Sequence, residues 1–209
     1  TFFHEFGHLL HHLLANGAHY TNLGGISVEW DFVEAPSQIL EEWAWSHEVL
    51  ARFAKHQKTG AVIPKDLVDR MRRSEEFGKG AETMRQLFFA AYSYFLHAKD
   101  PSALDIEAFT DEVFKTYSPY ARLEGDRLYA NFGHLMGYTS AYYTYQWSLV
   151  IAKDLFTRFE AAGLMDKATA KAYADEILAP GGTADAADLV KNFLGRSYNL
   201  EAYRHWLTK

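Results

Sequence analysis

Four of the ten histidines fall in the first twelve residues, and two of them belong to His4-Glu5-Phe6-Gly7-His8, a His-Glu-x-x-His pattern. On a helix, His4 and His8 stand one turn apart on the same face. Two imidazoles so placed can ligate one Zn²⁺ at about 2.0–2.1 Å. Glu5 is offset around the helix, where it is suited to take a proton from a metal-activated water rather than to bind the ion. The bland alternative is a helix carrying incidental surface histidines.

A zinc site needs a third ligand. One zinc-protease subclass places a histidine six residues after the second, following a glycine, but here that position is Leu14 with no such glycine. His11 and His12 continue the helix, and three successive turns run too straight to converge on one ion. They read as supporting or substrate-facing groups. A carboxylate from a second helix remains, with Glu29, Glu34, Glu41 and Glu42 as candidates. Spacing does not choose among them, although Glu34 follows a loop long enough to fold back.

The elements that must position these groups read as helix after helix. Phe2, Phe3, Phe6, Leu9, Leu10, Leu13 and Leu14 form a wide apolar stripe over residues 2–15, closed by Asn16-Gly17. Asn22, Gly24 and Gly25 are turn chemistry, and residues 26–28 could form a short extended piece or hairpin within 23–30. A long helix is predicted from Asp31 to His56, with Pro36 in its tolerant first turn and Thr59-Gly60 as its stop. Further helices are predicted over 64–77, 80–98, 104–117, 139–162, 166–178, 183–194 and 199–207. Residues 118–138 are less regular. The expectation is one all-α catalytic domain over 1–209.

Composition narrows the class. The chain has 209 residues, enough to bury a core, and no cysteine, which excludes a disulfide scaffold and a thiolate metal site. A net charge of −6 is a poor basis for wrapping nucleic acid. No apolar run reaches the roughly 20 residues of a membrane span.

The segments FFHEFGHLLHHLL and DFVEAPSQILEEWAW, then FGHLMGYTSAYYTYQWSLVIAKDLF and FLGRSYNLEAYRHWL, resemble in order the zinc oligopeptidases that include thimet oligopeptidase, neurolysin, bacterial oligopeptidase A and peptidyl-dipeptidase. The resemblance implies a zinc metallopeptidase cutting short peptides in the cytoplasm. It implies His4, His8 and Glu34 as ligands of one Zn²⁺ and Glu5 as general base. His134, Tyr138 and Tyr145 match a histidine and two tyrosines that face the scissile carbonyl. The family has two glycines between that histidine and the first tyrosine, whereas this chain has only Gly137. Its members are several hundred residues long, so the chain is expected to be their catalytic C-terminal part. The competing readings are a fragment that binds zinc without turnover and a helical module with no metal. Surface normally covered is expected to show as apolar patches on the outer side of the first helix, favouring a homodimer.

The tyrosine-rich stretch also has a plain structural reading. Tyr142, Tyr143 and Trp147 are expected in an aromatic core. Tyr138 and Tyr145, two helical turns apart, would share a face if their helix began early.

Overall fold

A computed structural model describes all 209 residues. The helices are α1 (Phe2–Leu14), α2 (Ala35–Glu41), α3 (His47–Leu50), α4 (Lys65–Glu76), α5 (Lys79–His97), α6 (Ile106–Tyr117), α7 (Leu128–Asn131), α8 (His134–Gly137), α9 (Thr144–Ala162), α10 (Lys167–Tyr173), α11 (Ala186–Leu194) and α12 (Glu201–Thr208). There is no strand, only an isolated antiparallel bridge between Lys55 and Val62. The all-α expectation holds. No helix is long and apolar enough to cross a membrane.

Three predicted elements differ from the structure. Residues 26–28 are not extended strand. The chain from Thr21 to Leu23 makes one 3₁₀ turn, and Gly25 follows at φ +63°. A side chain there would also run into His12, because a Cβ would lie 2.5 Å from its Nδ1. The predicted helix from Asp31 to His56 is broken into pieces. Pro36 has no N–H and its ring would clash with the carbonyl four residues back, so α2 cannot extend far upstream of it. Residues 29–34 instead turn, with the Phe32 and Val33 N–H groups donating to the Glu29 carbonyl at 3.0 and 3.1 Å. Downstream, α2 tightens to 3₁₀ over Glu42–Trp45, and Ser46 is extended at φ −97°, ψ 124°. The third difference is the start of α9, which comes at Thr144 rather than near residue 139.

The chain forms two compact units, Thr1–Phe77 with Ser148–Lys209, and Gly78–Trp147. In the first, Phe32, Ala35 and Ile39 are buried in one cluster with Ile151, Leu155, Ile177, Val190 and Phe193. Trp43 closes this core, packing edge-on to Phe156 and Phe159 while its indole N–H donates to the Leu164 carbonyl at 3.0 Å. The loop after α1 is tied down from the far end of the sequence: the Gly17 N–H donates to the Ala179 carbonyl at 2.9 Å. On its outer side α1 leaves Phe2, Phe6, Leu9 and Leu13 exposed, Phe2 to 77%.

The second unit packs α5 against α6 around Phe88, Tyr92, Phe109, Val113, Phe132 and Tyr142. The long connection after α6 is fastened by Arg122, whose guanidinium donates to Glu107 and Asp111 at 2.6 and 2.7 Å.

Candidate metal centre

The His-Glu-x-x-His turns lie on α1, and α2 packs across them. The crossing is close because Gly7 is buried with α2 directly against it. A Cβ on Gly7 would sit 2.6 Å from both the Pro36 carbonyl oxygen and the Ser37 Cα. At that separation Glu34, at the N-terminus of α2, reaches both histidines. Its Oε2 lies 3.2 Å from His4 Nε2 and 3.1 Å from His8 Nε2. The donor atoms of the three residues all lie within 4.8 Å of one another.

Glu34 is 1% exposed. Its carboxylate accepts a hydrogen bond from Ser37 Oγ at 3.0 Å, which fixes the rotamer from within α2. Behind His4, Glu41 takes the other ring nitrogen: His4 Nδ1–H donates to Glu41 Oε1 at 2.7 Å. That bond sets the tautomer, since a carboxylate has no proton to give. The Nε2 lone pair then points at a buried carboxylate oxygen, an arrangement that calls for a cation between them. A proton is one answer, and hydrogen bonds from Glu34 and then Glu41 raise the His4 pKa to about 9. A metal is the other. In a tetrahedral zinc site with bonds of about 2.0–2.1 Å, neighbouring ligand atoms lie about 3.3 Å apart. The two nitrogen-to-oxygen separations here match that edge. The donor set, two imidazoles and one carboxylate with a carboxylate behind one imidazole, fits a catalytic zinc site.

The structure gives each of the four candidate glutamates a separate place. Glu34 joins the histidines. Glu41 supports His4. Glu42 pairs with Lys153. Glu29 accepts the Ala186 N–H at 3.2 Å at the start of α11. Glu5 is exposed on α1 beside His4. His11 and His12 stay out of the group. His11 is fully buried with neither ring nitrogen hydrogen-bonded, and burial, reinforced by His8 and His12, lowers its pKa to about 4.

In the second unit, His134, Tyr138 and Tyr145 come together around Tyr142. The His134 ring centroid lies 5.6 Å from Tyr138 and 5.8 Å from Tyr145, and the two tyrosines are 5.3 Å apart. They meet across a turn rather than along one helix face, since α9 begins after Tyr138. Tyr142 is core, as expected, and burial raises its pKa. Tyr143 and Trp147 are not: they are 40% and 38% exposed. Tyr143 lies in the turn just before α9, and Trp147, in the first turns of α9, stands off the stripe that the helix buries.

Sequence reasoning weighed Glu41 only as a ligand and passed over Ser37 and Gly7. A signal was available for two of these. Ser37 and Glu41 stand three and seven residues after Glu34, one and two helical turns along the same face.

Residues 1–207 match the family model described as peptidase family M3. Oligopeptidase A of Escherichia coli (strain K12) is 38% identical over 208 residues, covering 97% of this chain and 30% of that protein. Saccharolysin of Saccharomyces cerevisiae is 35% identical over 209 residues, covering 97% and 29%. A probable cytosolic oligopeptidase A of Arabidopsis thaliana is 35% identical over 204 residues, covering 94% and 29%. The chain thus spans about 30% of the length of the curated relatives it matches. With the ordered motifs and the helical architecture, the match over nearly the whole chain establishes that it belongs to peptidase family M3.

Proposed function

We propose that the chain carries the zinc-dependent hydrolytic centre of a peptidase acting on short peptides. The observation that supports this most is the convergence of His4, His8 and buried Glu34 with Glu5 exposed beside them. The oligopeptidase names of the relatives supply the substrate class. His4, His8 and Glu34 would hold the ion, and Glu41 would orient His4. Bound zinc supplies a Lewis acid that polarises a carbonyl and lowers the pKa of an associated water to about 7. Glu5 takes the proton of the attacking water on its carboxylate and returns it to the leaving amine. On the family resemblance, His134, Tyr138 and Tyr145 donate to the developing oxyanion. Removing one such donor costs about 10²–10³ in kcat.

The test is Glu5→Gln, assayed for zinc content and for turnover of a quenched fluorescent peptide. The expected result is wild-type zinc and no turnover; a near-normal rate overturns the role of Glu5. A second reading, zinc binding without turnover, is motivated by the fraction of its relatives that the chain spans. It is supported if the wild-type chain holds zinc stoichiometrically and cleaves nothing.

A further inference from the structure

Thr139 is the one non-glycine residue of the chain with a positive φ, at +49°. The left-handed region presses a Cβ toward the following carbonyl, and threonine's branch makes the crowding worse. Left to itself, a threonine moves to negative φ. This one directly follows Tyr138 and opens the turn that leads to Tyr145.

The turn is gripped from α5. Ser93 is 1% exposed, and its Oγ donates to the Thr139 carbonyl while lying 3.5 Å from the Tyr142 N–H. Within the turn, the Ala141 N–H donates to the Tyr138 carbonyl at 2.8 Å. Tyr142 then enters the core, its hydroxyl donating to Gln86 Oε1 at 3.1 Å. Its ring forms the floor under His134 and Tyr145, with centroids 5.0 and 4.8 Å away. One buried hydroxyl therefore bonds both sides of the turn that separates the two tyrosines.

We propose that Ser93 is a positioning residue, which locks Thr139 in the left-handed conformation and so holds Tyr138 against Tyr145. This rests on the role given above to those tyrosines. Without the clamp, Thr139 relaxes to negative φ, the Tyr138 carbonyl swings, and the ring pair opens. With glycine at 139 the left-handed conformation carries no side-chain penalty, so the clamp becomes dispensable.

The experiment is a cycle of Ser93→Ala, Thr139→Gly and the double variant in the zinc-loaded chain. Nuclear magnetic resonance reads the backbone couplings of residue 139 and the ring–ring cross-peaks between Tyr138 and Tyr145. Peptide turnover and zinc content are measured alongside. Ser93→Ala should lose the left-handed couplings and the cross-peaks, and kcat should fall about 5- to 30-fold with KM and zinc unchanged. The double variant should regain the cross-peaks and bring kcat back within about threefold of Thr139→Gly alone, a rescue that general destabilisation would not produce. The proposal is overturned if Ser93→Ala keeps the couplings and cross-peaks, or if the double variant loses them equally. If the cross-peaks follow the cycle but kcat does not, the clamp stands and the assignment of the tyrosines to catalysis falls.

Discussion

Gly7 sits between His4 and His8, the histidines proposed to hold zinc, and replacing it with alanine tests whether the close approach of α1 and α2 sets the site. The added Cβ would lie 2.6 Å from the Pro36 oxygen and the Ser37 Cα, where ordinary contact begins near 3.4 Å. Both obstacles are backbone, so neither can rotate aside. The helices must separate by about 0.8 Å, the difference between those distances. Glu34 travels with α2, whereas His4 and His8 stay with α1. Metal–ligand distances tolerate only about 0.2 Å, so part of the displacement must be absorbed as strain or as a weakened bond. Zinc affinity is expected to fall about 10- to 100-fold, equivalent to about 1.4–2.7 kcal/mol. Stability of the metal-free protein should fall less. Overpacking costs about 1–3 kcal/mol, but alanine is about 1 kcal/mol better than glycine inside a helix. Competition titration against a chelator measures the affinity, and urea unfolding in excess chelator measures the stability. Phe6→Ala on the exposed side of the same helix is the control and should leave affinity within twofold. A Gly7→Ala protein that binds zinc as tightly as wild type would refute the reasoning.

Two other perturbations read the surroundings of the site. Glu41→Ala removes the acceptor that fixes His4 but none of the three donors, and should cost about 10- to 100-fold in zinc affinity by the same titration. If the affinity does not change, Glu41 does not support His4. His11 gives a pH signature in the metal-free protein. Its pKa is about 4 in the fold, because of burial, against 6.5 unfolded. Its contribution is complete above pH 6.5 and is lost as pH falls through 4, by up to about 3 kcal/mol. His4 does not interfere in this window, because its raised pKa matters between 6.5 and about 9. From pH 7 to pH 4 the wild type should therefore lose up to about 3 kcal/mol of unfolding free energy that His11→Leu keeps. Parallel curves would contradict this.

The sequence made α1 legible as the helix that brings His4 and His8 to one face, because the two histidines stand one helical turn apart. The predicted helices 64–77, 80–98 and 104–117 also correspond to α4, α5 and α6, where apolar residues repeat at helical intervals and glycine or proline marks the ends. The long helix over 31–56 failed because its apolar pattern runs on through a backbone break. Ser46 turns extended for tertiary reasons, Trp43 being drawn to Phe156 and Phe159 more than a hundred residues away. The choice among four glutamates was closed to spacing for a similar reason. Each is placed by a partner, and Lys153 and Ala186 are remote in sequence. Thr139 was invisible because nothing in its local sequence asks for a positive φ; Ser93, forty-six residues upstream, provides the reason.

His4, His8 and Glu34 lie close together in sequence, yet the ground beneath Glu34 is built from residues more than a hundred positions further along. Phe32 and Ala35 flank it in a core completed by Leu155, Val190 and Phe193, and the loop from α1 is fastened to Ala179. Contacts so distant in sequence form slowly, after most of the chain has collapsed. The three residues are thus near neighbours in the chain before folding gives them a pocket. Zinc meeting the unfolded chain would find flexible histidines with no Glu34 held in place, and on the proposed assignment tight binding awaits the packing of α9 and α11. On the proposed ligand assignment, a substitution in the α9 or α11 core that delays folding should also delay zinc uptake at residues far away in the sequence.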